Sequence, residues 1–185
     1  MPLVPSLDGG PPLSAPLRFF VTAAMFGTSA GLLLAWAGAD LLQSRWTPAA
    51  LAFTHFITVG FMMQVLLGAL QQLLPVLAGA PLRHPLRVAT VVHAGITLGG
   101  VCLVGAFLSG YAILFGIATA CMAVGVLFFV ATAVPALRRV HPPNVVARAL
   151  QFGLLGLTVT VSIGLANALT LGWPTGLPLE QLANV

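Results

Sequence analysis

Apolar residues run along this chain in five long stretches, each broken by a short cluster of proline, glycine, arginine or other polar residues. A helix rises about 1.5 Å per residue, so about 20 mostly apolar residues cross a hydrocarbon core. On that measure the pattern predicts spans over Leu17–Leu42, Pro48–Ala78, Pro85–Ser109, Tyr111–Leu137 and Asn144–Leu171. Pro48, after "RWT", and Pro85, after "LRH", fall at first-turn positions, where the missing N–H removes no helical hydrogen bond. "GAPLRHP" and "RRVHPPN" read as inter-helix loops, and the very short "LSGY" forces an antiparallel hairpin. The expected fold is an all-α integral membrane protein, a bundle of five transmembrane helices over residues 17–172. A proline-rich disordered tail is expected over residues 1–16, where no basic region suggests a cleavable signal, and a short tail over residues 173–185.

Composition supports the membrane assignment. The chain is 59% hydrophobic and 5% charged, with a mean hydropathy of +1.06, whereas a soluble domain carries roughly 25% charged residues. Lysine is absent, and the net charge of +4 comes from seven arginines against Asp8, Asp40 and Glu180. No basic stripe with interleaved aromatics is present, so nucleic acid is not an expected partner; membrane lipid is. Cys102 and Cys121 lie within apolar stretches without CxxC spacing, which argues against a disulfide framework or a zinc site and for small core residues. With five spans, Arg18, Arg83, Arg87, Arg138, Arg139 and Arg148 share one side and Arg45 the other. The positive-inside rule then predicts a cytoplasmic N-terminus and an outside C-terminus, with Trp46 and Trp173 in the outer aromatic belt.

The candidate chemistry lies in two histidines. His84 and His141 belong to loops, but His55 and His93 each lie about two turns inside a span. Ionisable groups at such depth face a partner, a cavity or a metal, and neutral imidazole is a common ligand of transition metals and heme iron. At 100° per residue His55 shares an arc with Thr58, Met62, Leu66 and Leu73, while Gln64, Gly68, Gln71 and Pro75 occupy the opposite arc. His93 shares a face with Thr97 and Gly100, and a glycine near a histidine lets a planar macrocycle approach the backbone. Antiparallel second and third spans separate His55 and His93 in depth by roughly 10 to 20 Å. That is too far for the two axial positions of one heme. Three arrangements stay open: one site per leaflet, a site completed by the same histidine of a second subunit, or one ligand histidine and one structural histidine. Met25 lies at about the depth of His93 and is a candidate second ligand, against the reading of a methionine as packing. Asn167 lies near the depth of His55 and is a candidate for orienting its ring. On the fifth span Gly153, Gly156, Thr160, Gly164 and Asn167 form a narrow arc, suited to close helix packing or to a flat cofactor surface.

The stretch "THFITVGFMMQVLLGALQQLLPVLAG" resembles the second transmembrane helix of heme-copper oxidase subunit I proteins, especially the nitric-oxide-reductase-like branch. There a histidine precedes a glycine-spaced apolar helix ending in Leu-Pro and is an axial ligand of a low-spin heme b. The resemblance implies that role for His55. "VVHAGITLGG" resembles histidine-glycine helices of these proteins and of the NnrS-like family of small heme- and copper-associated membrane proteins, which implies His93 as a second ligand. The family's paired-histidine copper site and HxH motif are missing, as are seven of its twelve helices, so a binuclear gas-reducing centre is not implied. What the resemblance implies is a short heme-binding relative in a bacterial-type inner (plasma) membrane.

The leading expectation is therefore a b-type membrane cytochrome, a redox component with heme b at one or two sites, copper being the second choice. Its electrons would pass between a quinone and another redox protein, and a homo-oligomer as small as a dimer is expected. The arginines fix topology and are candidates to pair with heme propionates. Two other classes compete: a transporter of a small solute, metal ion or proton lined by Gln64, Gln71, Gln72 and the histidines, and a non-catalytic assembly subunit of a respiratory complex whose polar residues are packing contacts.

Overall fold

The computed structural model describes residues 10–140 and 144–172, and every regular element among them is helical. Five helices are long and apolar enough to cross a membrane. They are α1 (Ser14–Ala37), followed by a 3₁₀ turn (Gly38–Leu42), α2 (Pro48–Val76), α3 (Pro85–Ser109), α4 (Ala112–Arg138) and α5 (Val145–Gly172). The molecule is an all-α transmembrane bundle. Helix α1 begins three residues before the expected Leu17, because Pro16 falls in its first turn, where no intrahelical N–H is needed. Residues 1–9 and 173–185, which hold most of both expected tails together with Asp8, Trp173 and Glu180, lie outside the described residues, as does His141.

Local signals at the helix ends explain the boundaries. The Thr47 hydroxyl accepts a hydrogen bond from the Ala50 amide at 3.2 Å and caps α2, with Pro48 as its first residue. Gly110 adopts φ 73°, a left-handed conformation that favours glycine, and turns α3 into α4 within two residues. The tight turn makes α3 and α4 an antiparallel pair with very close backbones. A Cβ on Gly95 would lie 2.7 Å from the Cys121 carbonyl oxygen and 3.0 Å from the Gly125 Cα, so this crossing tolerates no side chain.

The α2 helix departs from regular geometry. Its first part (Pro48–His55) is α-helical, its middle (Phe56–Met63) is π-helical and its last part (Gln64–Val76) is α-helical again. Wider i→i+5 turns rotate later side chains away from the phase that a uniform 100° step predicts. The arc drawn for His55 is corrected accordingly: Met62, Leu66 and Leu73 are exposed on the outside of the bundle, whereas Val59 and Met63, with the exposed Thr58, line the same cavity as His55. Gly60, within the π segment, lies against the Phe26 ring, so α1 packs directly on the irregular turns.

Two apolar clusters divide the bundle by depth. On the side of the α1, α3 and α5 N-termini, Phe19, Leu67, Leu74, Val92, Ile96, Phe129 and Leu154 form one. On the opposite side, Ala52, Val59, Leu103, Phe107, Phe115, Met122 and Ala168 form the other. Gln64 and Gln71 are fully buried on the inward face of α2. Gln64 Nε2 donates to Thr97 Oγ1 at 2.9 Å, which ties α2 to α3. Helix α5 packs chiefly on α4, and its Gly153, Gly156 and Gly164 meet no neighbour within 4 Å of an added Cβ. Close helix packing within one chain therefore does not account for the small-residue arc of α5.

Candidate functional site

The opposite-side cluster is incompletely filled. Between α2, α3, α4 and α5 lies a cavity of about 540 Å³, within the size range of small-molecule and cofactor sites. Its walls are mainly apolar, among them Leu51, Leu103, Phe107 and Leu165, and His55, Met63 and Met122 also line it. From α5 come Thr160, Gly164 and Asn167, three members of the small-residue arc. At the end nearest the α2 N-terminus the lining includes Trp46, with the Arg45 guanidinium 5.1 Å from its ring centroid.

Local structure fixes the protonation geometry of His55. Its Nδ1 lies 2.7 Å from the Leu51 carbonyl oxygen, one turn earlier on α2. A carbonyl only accepts, so Nδ1 carries the proton, and in a neutral imidazole Nε2 is left with a bare lone pair. A backbone acceptor holding one ring nitrogen so that the other is free to ligate is the usual support of a metal-bound histidine. The ring stacks on Phe107, with centroids 4.9 Å apart and planes 29° apart, and Phe107 is braced edge-on by Phe115 at 5.1 Å. Imidazole orientation is thus set by Leu51 and Phe107. Asn167 lines the same cavity, but no hydrogen bond joins it to the ring, so the orienting role expected of it falls to the Leu51 carbonyl.

His93 sits elsewhere. Its Nε2 is 2.7 Å from Thr22 Oγ1 on α1, and its ring meets Phe19 edge-on at 5.1 Å. It lines a shallow groove of about 490 Å³ with Ser14, Leu17, Arg18, Val21 and Thr22, separate from the His55 cavity. Thr97 and Gly100, which share its face in projection, turn toward other partners. Thr97 receives Gln64, and Gly100 faces the Phe26 ring, whose Cζ would be 3.3 Å from an added Cβ. Met25 is 65% exposed on α1 and does not line the groove. The six candidate residues therefore divide: His55 and Asn167 share one cavity, and His93, Thr97, Gly100 and Met25 do not converge on it or on one another.

Sequence reasoning missed Phe107, Met63 and Met122 as walls of the His55 site. The signal for Met63 is concealed by the π segment, and Phe107 and Met122 come from helices whose phase relative to α2 no single-helix projection contains. Among the described residues, no three histidine, cysteine, aspartate or glutamate side chains converge as a metal cage. Cys102 and Cys121 are free, partly buried thiols.

No protein-family model, curated protein or solved structure matches this chain.

Proposed function

We propose that the chain is a membrane cytochrome of b type, holding one heme in the His55 cavity and transferring electrons. The observation that carries this reading is His55 in the lining of an apolar cavity, with its Nδ1 bonded to the Leu51 carbonyl at 2.7 Å so that Nε2 keeps its lone pair. A porphyrin supplies four ligands to its iron, so a single histidine suffices, whereas a protein-only copper site needs several converging side chains. His55 would hold the iron, and Met63 and Met122 are thioethers in the lining of the same cavity. Leu103, Phe107 and Leu165 would exclude water, which with ligand identity sets the potential. Arg45, stacked over Trp46 at the outer end, is the cation placed to meet a propionate. Bound there, a heme b supplies reversible one-electron chemistry, and a quinone and a partner redox protein are the proposed exchange partners.

The reading retains the likeness of this span to heme-copper oxidase subunit I as an analogy for His55 alone. It also includes the cytoplasmic N-terminus in a bacterial-type inner membrane, supported by six arginines on one side against Arg45 on the other. A homodimer is proposed through the exposed Gly153 and Gly156 end of the arc on α5, because no described atom lies within 4 Å of a Cβ added at either. The test is a pyridine-hemochrome assay on protein purified from a heme-replete host. One heme b per chain is expected, falling to a residual level in His55→Ala; equal heme in both proteins would overturn the assignment.

A further inference from the structure

The groove beside His93 is separate from the His55 cavity. Helices α1 and α3 run in parallel with their N-termini on the same side, and they meet through matched polar residues at two levels. At the first, Arg18 donates from Nε to the Ser14 carbonyl at 3.0 Å and from Nη1 to Thr90 Oγ1 at 2.9 Å. One turn deeper, Thr22 Oγ1 and His93 Nε2 are 2.7 Å apart. These contacts hold the guanidinium over the groove while using two of its five N–H groups, so three stay without a protein partner among the described residues.

Neutralisation from within is scarce. Among the described residues the only carboxylate is Asp40, which accepts from Gln43 Nε2 at 2.6 Å. It lies beyond the far end of α1, about 33 Å from Arg18 at 1.5 Å per residue. The groove has Leu17 beside the cation and Val21 below it and lies on the outside of the bundle, a shape that takes a headgroup above and an acyl chain below. Basic recesses between helices on the arginine-rich side of a membrane protein suit anionic lipid headgroups, and the N-terminal ends of α1 and α3 add positive potential.

We propose that Arg18, Thr22 and the His93 edge form a binding site for the phosphate of an anionic glycerophospholipid. The lipid would act as a cofactor-like strut joining α1 to α3. Thr22 and His93 position each other, and Arg18 supplies the charge and the fork geometry that grips phosphate oxygens. This site does not depend on heme at His55.

Native mass spectrometry of the delipidated full chain, titrated with dioleoyl phosphatidylglycerol or dioleoyl phosphatidylcholine, tests it. The wild type should prefer the anionic lipid by about tenfold, the size of one charge-assisted hydrogen-bonded contact. Arg18→Gln should abolish that preference, and Arg148→Gln, on the same side but outside the groove, should leave it. Thr22→Val keeps the shape and should reduce it by about threefold; it carries the test if circular dichroism shows that Arg18→Gln misfolds. Equal affinity for the two lipids in the wild type, or equal losses in Arg18→Gln and Arg148→Gln, would overturn the site. So would displacement of the lipid by millimolar inorganic phosphate, which would point to the free anion, or a preference that emerges only in Asp8→Asn, which would mean that the chain's own carboxylate occupies Arg18.

Discussion

His55 and His93 have much in common in the sequence: each lies about two turns inside a span, with threonines and a glycine nearby. In three dimensions they differ in which nitrogen is engaged and by what. His55 satisfies Nδ1 on its own helix, which leaves Nε2 with its lone pair, and the residue lines an apolar cavity. His93 uses Nε2 to grip Thr22 of another helix, next to a cation. Depth and neighbours single out both histidines in the sequence, but the hydrogen bond each makes differs, and only His55 has its Nδ1 on a backbone carbonyl one turn away. Their surroundings differ as well: His55 lines a cavity bounded by four helices, whereas His93 lines a shallow groove on the outside of the bundle.

The largest effect expected to sharpen this contrast comes from removing the ligand and leaving its space. His55→Gly should lose bound heme, and added imidazole should restore it, because the cavity walls remain; His93→Gly should neither lose heme nor respond. An identical response in the two variants would erase the contrast. Phe107→Ala removes the ring on which His55 stacks and leaves a hole beside Phe115. It should destabilise the protein by about 3–5 kcal/mol in thermal unfolding followed by circular dichroism. A loss below about 1 kcal/mol would show that the wall is not packed as described.

A smaller effect is expected where the two halves meet at the α3–α4 crossing. Gly95→Val drives a side chain into the Cys121 carbonyl and should cost about 1–3 kcal/mol while leaving heme affinity nearly unchanged. The smallest belongs to Gln64→Leu. It deletes the bond to Thr97 but also removes a buried carbonyl oxygen that has no partner among the described residues, so the net change should stay near 0.6 kcal/mol, about the average for hydrogen bonds between membrane helices. A larger loss would mean that the glutamine joins a wider internal network.

The five spans were legible because hydropathy and proline or glycine punctuation act locally: Pro48, Pro85 and Gly110 stand where the chain must start or turn. His55 was legible because an imidazole inside an apolar run is costly wherever it points. Its surroundings were not, for a geometric reason. The π segment from Phe56 to Met63 breaks the uniform angular step, so Met62, Leu66 and Leu73 fall on the wrong face in projection. Phe107 and Met122 reach the cavity only through the close α3–α4 pairing, and no spacing within one helix reports the phase between two. The His93 groove was hidden in the same way, since Arg18 reads as a topology signal until Thr90 and Thr22 are seen beside it.

The central claim, that His55 rather than His93 ligates heme, is tested most directly by dithionite-reduced minus oxidised visible spectra of the purified wild type, His55→Ala and His93→Ala. Sharp α and β bands in the wild type and His93→Ala, absent from His55→Ala, are the predicted result. Bands that persist in His55→Ala, or a wild type that is colourless and unchanged by added hemin, would contradict it.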